Sequence, residues 1–233
     1  MKKRFCGLLA VVLLTLPLSV SYAEETSRRG RGGNGPFAEI TRSFSLGAGG
    51  GFTSDFGGGY AVTTGDPSFM GGGSEISSVR TPYMGGGGFV FMDATFVELS
   101  LGFLGGSGTD LPYSFTGLDI GLLGKLPIAV NDRFALFPLL GINHRAMLLM
   151  RDGHGNEIDN TRDFNSLWFR LGGGMDISFT DNIFLRGQAL YGIRRPNRAE
   201  RNAVDSFYDN PNVNARTLQG HGLEIRLAVG YRF

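Results

Sequence analysis

The amino-acid sequence predicts an all-β fold, an eight-stranded antiparallel up-and-down β-barrel. Apolar and polar residues alternate with a period of two along many segments, most strictly over the last twelve residues. Glycine accounts for 38 of the 233 residues. Because each interior glycine costs a helix about 1 kcal/mol, this content argues against a helical bundle. The segments are joined by short and long connections in turn, as expected when neighbouring strands run up and down.

Composition excludes several other classes of protein. The chain has 22 basic and 21 acidic residues, so no charge excess points to nucleic acid and we expect no such partner. The hydrophobic share of 42% is too high for a disordered tail. The single cysteine, Cys6, excludes a disulfide scaffold and a cysteine-based zinc site.

The N-terminal residues predict export. Residues 2–4 are basic, residues 7–20 are apolar, and residues 21–23 place small side chains at the cleavage positions, so residues 1–23 have the form of a cleaved signal peptide for the Sec pathway. The apolar run would rise only about 21 Å as a helix, too little to span a hydrocarbon core of about 30 Å. We expect residues 24–42 to form a flexible periplasmic segment and residues 43–233 to form the barrel.

The alternation predicts the strands and their faces. Predicted strands cover residues 43–52, 83–92, 96–104, 114–127, 134–146, 166–179, 183–194 and 221–233. Short connections are predicted at 93–95, 128–133 and 180–182, and long ones at 53–82, 105–113, 147–165 and 195–220. The face of strand 83–92 is ambiguous, and an odd-length turn at 93–95 would place Phe89 and Phe91 outward.

The apolar face of each strand is predicted to contact lipid, which makes the barrel a transmembrane one. The opposite face carries Gly, Ser and isolated charges of balanced sign rather than the Lys and Glu of a solvated surface. We predict a charge network in the lumen formed by Glu98, Asp119, Lys125, Arg170, Asp176, Arg186, Glu224 and Arg226. Eight strands enclose a lumen just wide enough for side chains. The alternative is a secreted soluble β-sandwich, whose strands also alternate.

The last strand carries a resemblance to a known family. Apolar residues alternate up to the C-terminal Phe233, with Val229 and Tyr231 on the same face. In this the chain resembles the small eight-stranded outer-membrane barrels of the OmpA/OmpX type. The resemblance implies a location in the outer membrane with the long loops outside. It also implies an assembly signal at Val229, Tyr231 and Phe233, with the barrel assembly machinery and periplasmic chaperones as partners during biogenesis.

Three functions are compatible with these observations. The leading hypothesis is a structural surface protein, a rigid anchor that presents four loops for adhesion or envelope integrity. The alternative is a small water-filled pore, because many inward positions are glycine. A second alternative is a lipid A-modifying enzyme. His144 and His221 lack the His-x-Ser spacing of lipid A deacylases, and His154 lies in a Gly-rich segment that predicts a solvated turn. We therefore expect no enzyme and no cofactor.

Two loops carry charges that could bind ligands. The segment 152–163 has four carboxylates but lacks the spacing of a calcium loop, so we expect no metal site. Arginine side chains suit phosphate and carboxylate groups. A possible binding set for outer-membrane lipids or host and surface ligands is therefore Arg194, Arg195, Arg198 and Arg201.

Overall fold

The structure, a computed structural model, describes residues 44–64, 75–131, 133–207 and 213–233. Its strands are β1 (Phe44–Asp55), β2 (Gly59–Thr64), β3 (Glu75–Arg80), β4 (Tyr83–Ala94), β5 (Val97–Gly108), β6 (Ser114–Lys125), β7 (Ile128–Asn131), β8 (Phe134–Arg151), β9 (Ser166–Ser178), β10 (Ile183–Arg194), β11 (Val213–Leu218) and β12 (Gly220–Arg232). The helical elements are a 3₁₀ turn, Thr161–Phe164, and one α-helix, α1, Arg198–Asp205.

Eight of the strands close into an antiparallel barrel, which confirms the predicted fold class. Around the barrel the order is β1, β4, β5, β6, β8, β9, β10 and β12, and β12 pairs back onto β1 from Ser45↔Arg232 to Asp55↔Gly222. The short strand β7 pairs with β8 inside the predicted short connection 128–133. Each predicted strand overlaps one barrel strand. The predicted signal peptide and residues 24–42 lie outside the described residues.

The outer wall is an apolar belt. Side chains that face outward include Leu140, Leu171 and Leu227, which are 60–66% exposed. Neighbouring barrel strands contribute Leu46, Phe52, Val90, Leu101, Phe103, Ile120, Ile142, Phe169, Ile225 and Val229, all exposed. A continuous apolar surface of this extent is not stable in water. Among the described residues no helix is long and apolar enough to cross a membrane.

The predicted outward placement of Phe89 and Phe91 is wrong. The β4–β5 turn has two residues, because Ala94 pairs with Val97 and Thr95 adopts a left-handed conformation with φ 58°. Directly paired residues share a face, so an outward Val97 also places Ala94 outward. Phe91, an odd number of residues away, faces inward and is only 2% exposed, and Phe89 packs against the same inner cluster.

The core of the protein lies in the lumen, where aromatic rings cover inward glycines. A Cβ added to Gly47 would collide with the ring of Phe91. In the same way, a Cβ at Gly174 would collide with the Phe137 ring, and a Cβ at Gly230 with the Phe184 ring. A Cβ at Gly192 or Gly222 would come within 2.8–3.0 Å of the Trp168 ring. Glycines on the inner face therefore provide space for aromatic rings, and the rings occupy it.

The loop end of the barrel carries its own secondary structure, which the sequence interpretation missed. Strands β11, β2 and β3 form a separate three-stranded sheet. Helix α1 begins with a capping box, in which Asn197 accepts from the Glu200 backbone N–H and Glu200 accepts from the Asn197 N–H. The Asn-x-x-Glu spacing is a sequence signal for such a helix start, and it could have revealed α1 in the predicted loop 195–220.

Candidate functional site: the lumen charge network and the loop-end arginines

The turn-end half of the lumen is organised around Arg186. This residue lies on β10 with its side chain inward, and it is 2% exposed. Its guanidinium donates to Asp93, Glu98 and Asp176, each at 2.7 Å. Asp93 also pairs with Lys125. Arg186 therefore joins β10 to the neighbouring strand β9 and, across the lumen, to Asp93 on β4 and Glu98 on β5, which are 93 and 88 residues away in sequence. Together with Lys125 these side chains form what we call the Arg186 cluster.

Three aromatic rings enclose the Arg186 cluster. The guanidinium carbon lies 4.7 Å from the centroid of the Phe91 ring and 5.1 Å from those of Phe137 and Phe184. Cation–π contacts at such distances stabilise a desolvated guanidinium. Phe137 also packs in a buried apolar group with Leu123, Leu139 and Leu190. Ion pairs and rings together fill the cross-section of the lumen at this level.

The loop-end half holds a second group of ion pairs. Arg145 donates to Asp119 Oδ2 at 2.6 Å, and Asp119 also accepts from Asn143. Glu224 pairs with Arg226 at 2.6 Å and with Arg170 at 2.9 Å. The guanidinium of Arg170 lies 4.5 Å from the centroid of the Trp168 ring. Together with the Arg186 cluster, these residues include all eight that the sequence singled out for the lumen.

Asp93 and Arg145 are members of the network that the sequence interpretation left out. The sequence pattern predicts a turn at Asp93 and gives Arg145 no role in the network. Both are at most 2% exposed and ion-paired. Each lies on the inward parity of its strand, Asp93 one residue before the end of β4 and Arg145 six residues before the end of β8. Strand length was therefore the missing information.

A small cavity lies beside the loop-end ion pairs. It measures about 30 Å³, and its polar lining includes Ser100, Asp119, Arg145, Glu224 and Arg226. A polar space of this volume is large enough for ordered water.

Above the network, Arg194 fastens the loop-end structure to the barrel. Its Nε lies 3.1 Å from Asp55 at the end of β1, and its Nη2 donates to Glu200 of α1 at 2.7 Å. Glu200 also accepts from the backbone N–H of Gly59 at 2.8 Å, at the start of β2. Arg194 is 3% exposed. It therefore acts inside the protein and does not present its guanidinium to external ligands, unlike the loop-binding role predicted for it.

The other three arginines of that predicted set are exposed. Arg195 follows β10 directly, and Arg198 and Arg201 lie in the first half of α1. The Arg201 side chain donates to the carbonyl of Pro196 at 2.7 Å. This contact places its guanidinium over the junction between β10 and the helix. The Arg198 guanidinium lies 3.7 Å from Asp163 of the 3₁₀ turn.

The histidines lie apart from one another. His144 is on β8 and outward, paired with Ile120 and Leu167. His221 accepts or donates a hydrogen bond with the Tyr191 hydroxyl at 2.6 Å on the outer face. His154 lies in the β8–β9 loop, where its backbone N–H donates to Asp152. The structure does not bring these three side chains into one site.

The acidic loop has a local structural explanation. Asp152 accepts hydrogen bonds from the side chain and backbone of Asn156 and from the backbone of His154. These bonds lower the pKa of the Asp152 carboxyl below its usual value. Within the described residues, no group of three or more His, Cys, Asp or Glu side chains is arranged to hold a metal ion.

The C-terminal aromatics form part of the turn-end rim. Phe233, Tyr231 and Val229 all face outward and are 68%, 47% and 55% exposed. The Phe233 backbone N–H donates to Phe44 at 2.9 Å, and the two rings lie 5.8 Å apart. Aromatic side chains at such a rim suit a membrane interface.

Comparisons with solved structures give matches of low sequence identity and low TM-score. No protein-family model and no curated protein sequence matches the chain. Neisserial surface protein A (NspA) matches with a TM-score of 0.45 and 8% identity, over 82% of this chain and 97% of that one. Ail of Yersinia pestis, solved with the heparin analogue sucrose octasulfate, matches with a TM-score of 0.34 and 14% identity, over 79% and 99%.

A protease is also among the structural matches. The outer membrane protease OmpT from Escherichia coli matches with a TM-score of 0.32 and 6% identity, over 83% of this chain and 97% of that one. Because a closed sheet with an outward apolar belt is the form in which β-strands cross a lipid bilayer, the geometry makes this chain an eight-stranded transmembrane β-barrel.

Proposed function

We propose that the protein is a closed outer-membrane anchor whose loops carry out surface interactions, such as adhesion or support of envelope integrity. The Arg186 cluster is the observation that carries the proposal. Ion pairs of 2.7 Å and three aromatic rings span the lumen at one level. A side-chain plug of this kind blocks passage of hydrated solutes without a separate plug domain.

The loop end supports the same proposal. Helix α1 and the β2–β3–β11 sheet rest on the barrel through Arg194, Asp55 and Glu200. A folded cap fixes the geometry of exposed residues more firmly than a flexible loop does, and rigid presentation lowers the entropy cost of binding. The surface function belongs to this cap and to the β5–β6 and β8–β9 loops.

The pore alternative depended on inward glycines leaving open space. In the structure, Gly174 and Gly230 are covered by Phe137 and Phe184, and Gly192 and Gly222 by Trp168. The lumen cavity of about 30 Å³ suits a few waters and not a channel. These observations favour the anchor.

Recording from single barrels in a planar bilayer tests the proposal. We expect the folded wild-type protein to show no steady conductance. A steady conductance that changes when Arg186 or Glu224 is replaced would place the ion path through the network and overturn the closed anchor. The matched control is Arg133→Gln, an exposed residue at the turn end, which should leave the recording unchanged.

The loop part of the proposal has its own test. Cells that produce the wild-type barrel would be compared, in a surface-adhesion assay, with cells producing a variant whose residues 152–163 are replaced by a short Gly-Ser turn. Equal amounts of heat-modifiable barrel in the outer membrane would show that both variants fold. Adhesion that depends on the loops supports the proposal, and equal adhesion after all four loops are shortened in turn would contradict it.

A further inference from the structure

We propose that Arg195, Arg198 and Arg201 form a binding site for the phosphate groups of a phosphorylated glycolipid in the outer leaflet. This inference rests on the proposed function in one respect, that the loop end faces the cell exterior. It adds a specific site and one class of partner. We call these three residues the rim arginines.

The position of Arg195 gives the site its membrane side. On β10 the outward residues include Ala189, Tyr191 and Ile193, and Arg195 continues that parity. Its backbone N–H donates to the Leu167 carbonyl at 2.9 Å, so the pairing with β9 extends to this residue. Arg195 therefore lies directly above the apolar belt, on the side where lipid headgroups begin.

Helix α1 brings the other two arginines to the same place. Its buried side contains Glu200 and Val204, which leaves Arg198 and Arg201 on the exposed side, one turn apart. The Arg198 side chain is 70% exposed. The hydrogen bond from Arg201 to Pro196 O, the residue after Arg195, holds the third guanidinium close to the strand end.

The charge arrangement is unfavourable without a ligand. Cations near a helix N-terminus oppose the helix dipole, and like charges three residues apart on a helix repel each other. The ion pair that the structure gives the rim arginines is weak, with Arg198 lying 3.7 Å from Asp163. Arg194, by contrast, has two carboxylates within 3.1 Å. A bound anion would compensate the uncompensated charge of the rim arginines.

The geometry favours a lipid over a soluble anion. Guanidinium groups bind phosphate through paired hydrogen bonds. A phosphorylated glycolipid can place its phosphate at the rim arginines while its acyl chains contact Ile193 and Leu167 on the belt below. A soluble anion would gain only the first of these contacts.

Binding of purified lipid A tests the site. The mature protein, folded in a nonionic detergent, would be titrated with bis-phosphorylated lipid A and with the same lipid after its phosphates are removed. The variant is the triple substitution R195Q/R198Q/R201Q. Its matched control is R80Q/R133Q/R216Q, which removes the same charge at three exposed positions elsewhere.

We expect wild type and the control variant to bind the phosphorylated lipid with affinities that agree within about twofold. The triple variant should bind it about a hundredfold more weakly, because each arginine removed costs roughly fivefold in affinity. Dephosphorylated lipid should bind all three proteins equally weakly. Equal binding of phosphorylated lipid by wild type and the triple variant would overturn the proposal. Inorganic phosphate or a soluble sulfated polysaccharide that binds the rim arginines as tightly as lipid A would overturn the lipid as the partner.

Two readouts keep the test decisive. The heat-modifiable gel shift and the fluorescence of Trp168 report whether each variant is folded. If the triple variant misfolds, the single substitution R195Q replaces it, with an expected loss of about fivefold in affinity for the phosphorylated lipid. Conductance is measured separately. A conducting wild-type barrel would refute the closed anchor and leave the lipid result standing.

Discussion

Replacing Arg186 with methionine should be among the most destabilising single changes in this barrel. The substitution keeps much of the side-chain volume among the three phenylalanine rings, so the main effect is electrostatic. Asp93 keeps Lys125 as a partner, and Glu98 keeps a hydrogen bond of 2.8 Å from Gln188. Asp176 loses the hydrogen bonds of 2.7–2.8 Å that the structure gives it from Arg186.

The expected cost follows from that loss of partners. Removing one member of a buried ion pair leaves an uncompensated charge and costs about 3–5 kcal/mol. Lysine at this position should cost less, because it keeps the charge and loses the forked geometry. The double variant R186M/D176N should recover part of the loss, since it removes the carboxylate that R186M leaves alone; the difference measures the coupling between the two residues.

Reversible urea unfolding of the mature protein in short-chain phosphatidylcholine vesicles provides the measurement. Trp168 is the only tryptophan in the sequence, and it is fully buried in the lumen, so its fluorescence reports the folded interior. R133Q serves as the control and should stay within about 0.5 kcal/mol of wild type. A cost for R186M no larger than that of R133Q would refute the assignment of Arg186 as the centre of the network.

Two further predictions use the same unfolding assay. Leu171→Arg, on the outward face, should lower the free energy of unfolding by about 2–4 kcal/mol if the residue lies near the bilayer midplane. Ser178→Asn, on the inner face, should lower it much less. The reverse order would mean that the two faces are exchanged. Gly230→Val should displace the ring of Phe184 and cost about 1–3 kcal/mol through overpacking. Gly50→Ala is its control, because an added Cβ there meets only a carbonyl oxygen at 3.5 Å, and equal costs for the two variants would contradict the ring-over-glycine packing.

The pattern of the sequence was sufficient for the strands and for most of their faces. Alternation along β9, β10 and β12 fixed which residues point inward, since successive side chains of a strand point to opposite sides. That parity placed Arg170, Arg186 and Arg226 inside before any contact was known. The same parity puts Arg194 on the inner face, although the predicted binding set grouped it with Arg195.

Features that depend on a turn or on another strand were not predictable in this way. The inward placement of Phe91 follows from the two-residue turn at Thr95, whose left-handed conformation is unusual for a threonine. Phe137 is an apolar residue on the polar face of β8, and its role depends on other strands, because its ring covers Gly174 and contacts Lys125 and Arg186.

By itself, the sequence determined that this chain forms a barrel with an apolar outside and a charged inside, because a period of two is a local property that each strand carries. The tertiary structure alone decided which charge pairs with which. Arg186 and Glu98 are 88 residues apart, and their contact exists because the sheet closes and brings opposite walls of the lumen within reach of one side chain. Partner choice in the network is thus a property of barrel closure, which no segment of the chain encodes alone.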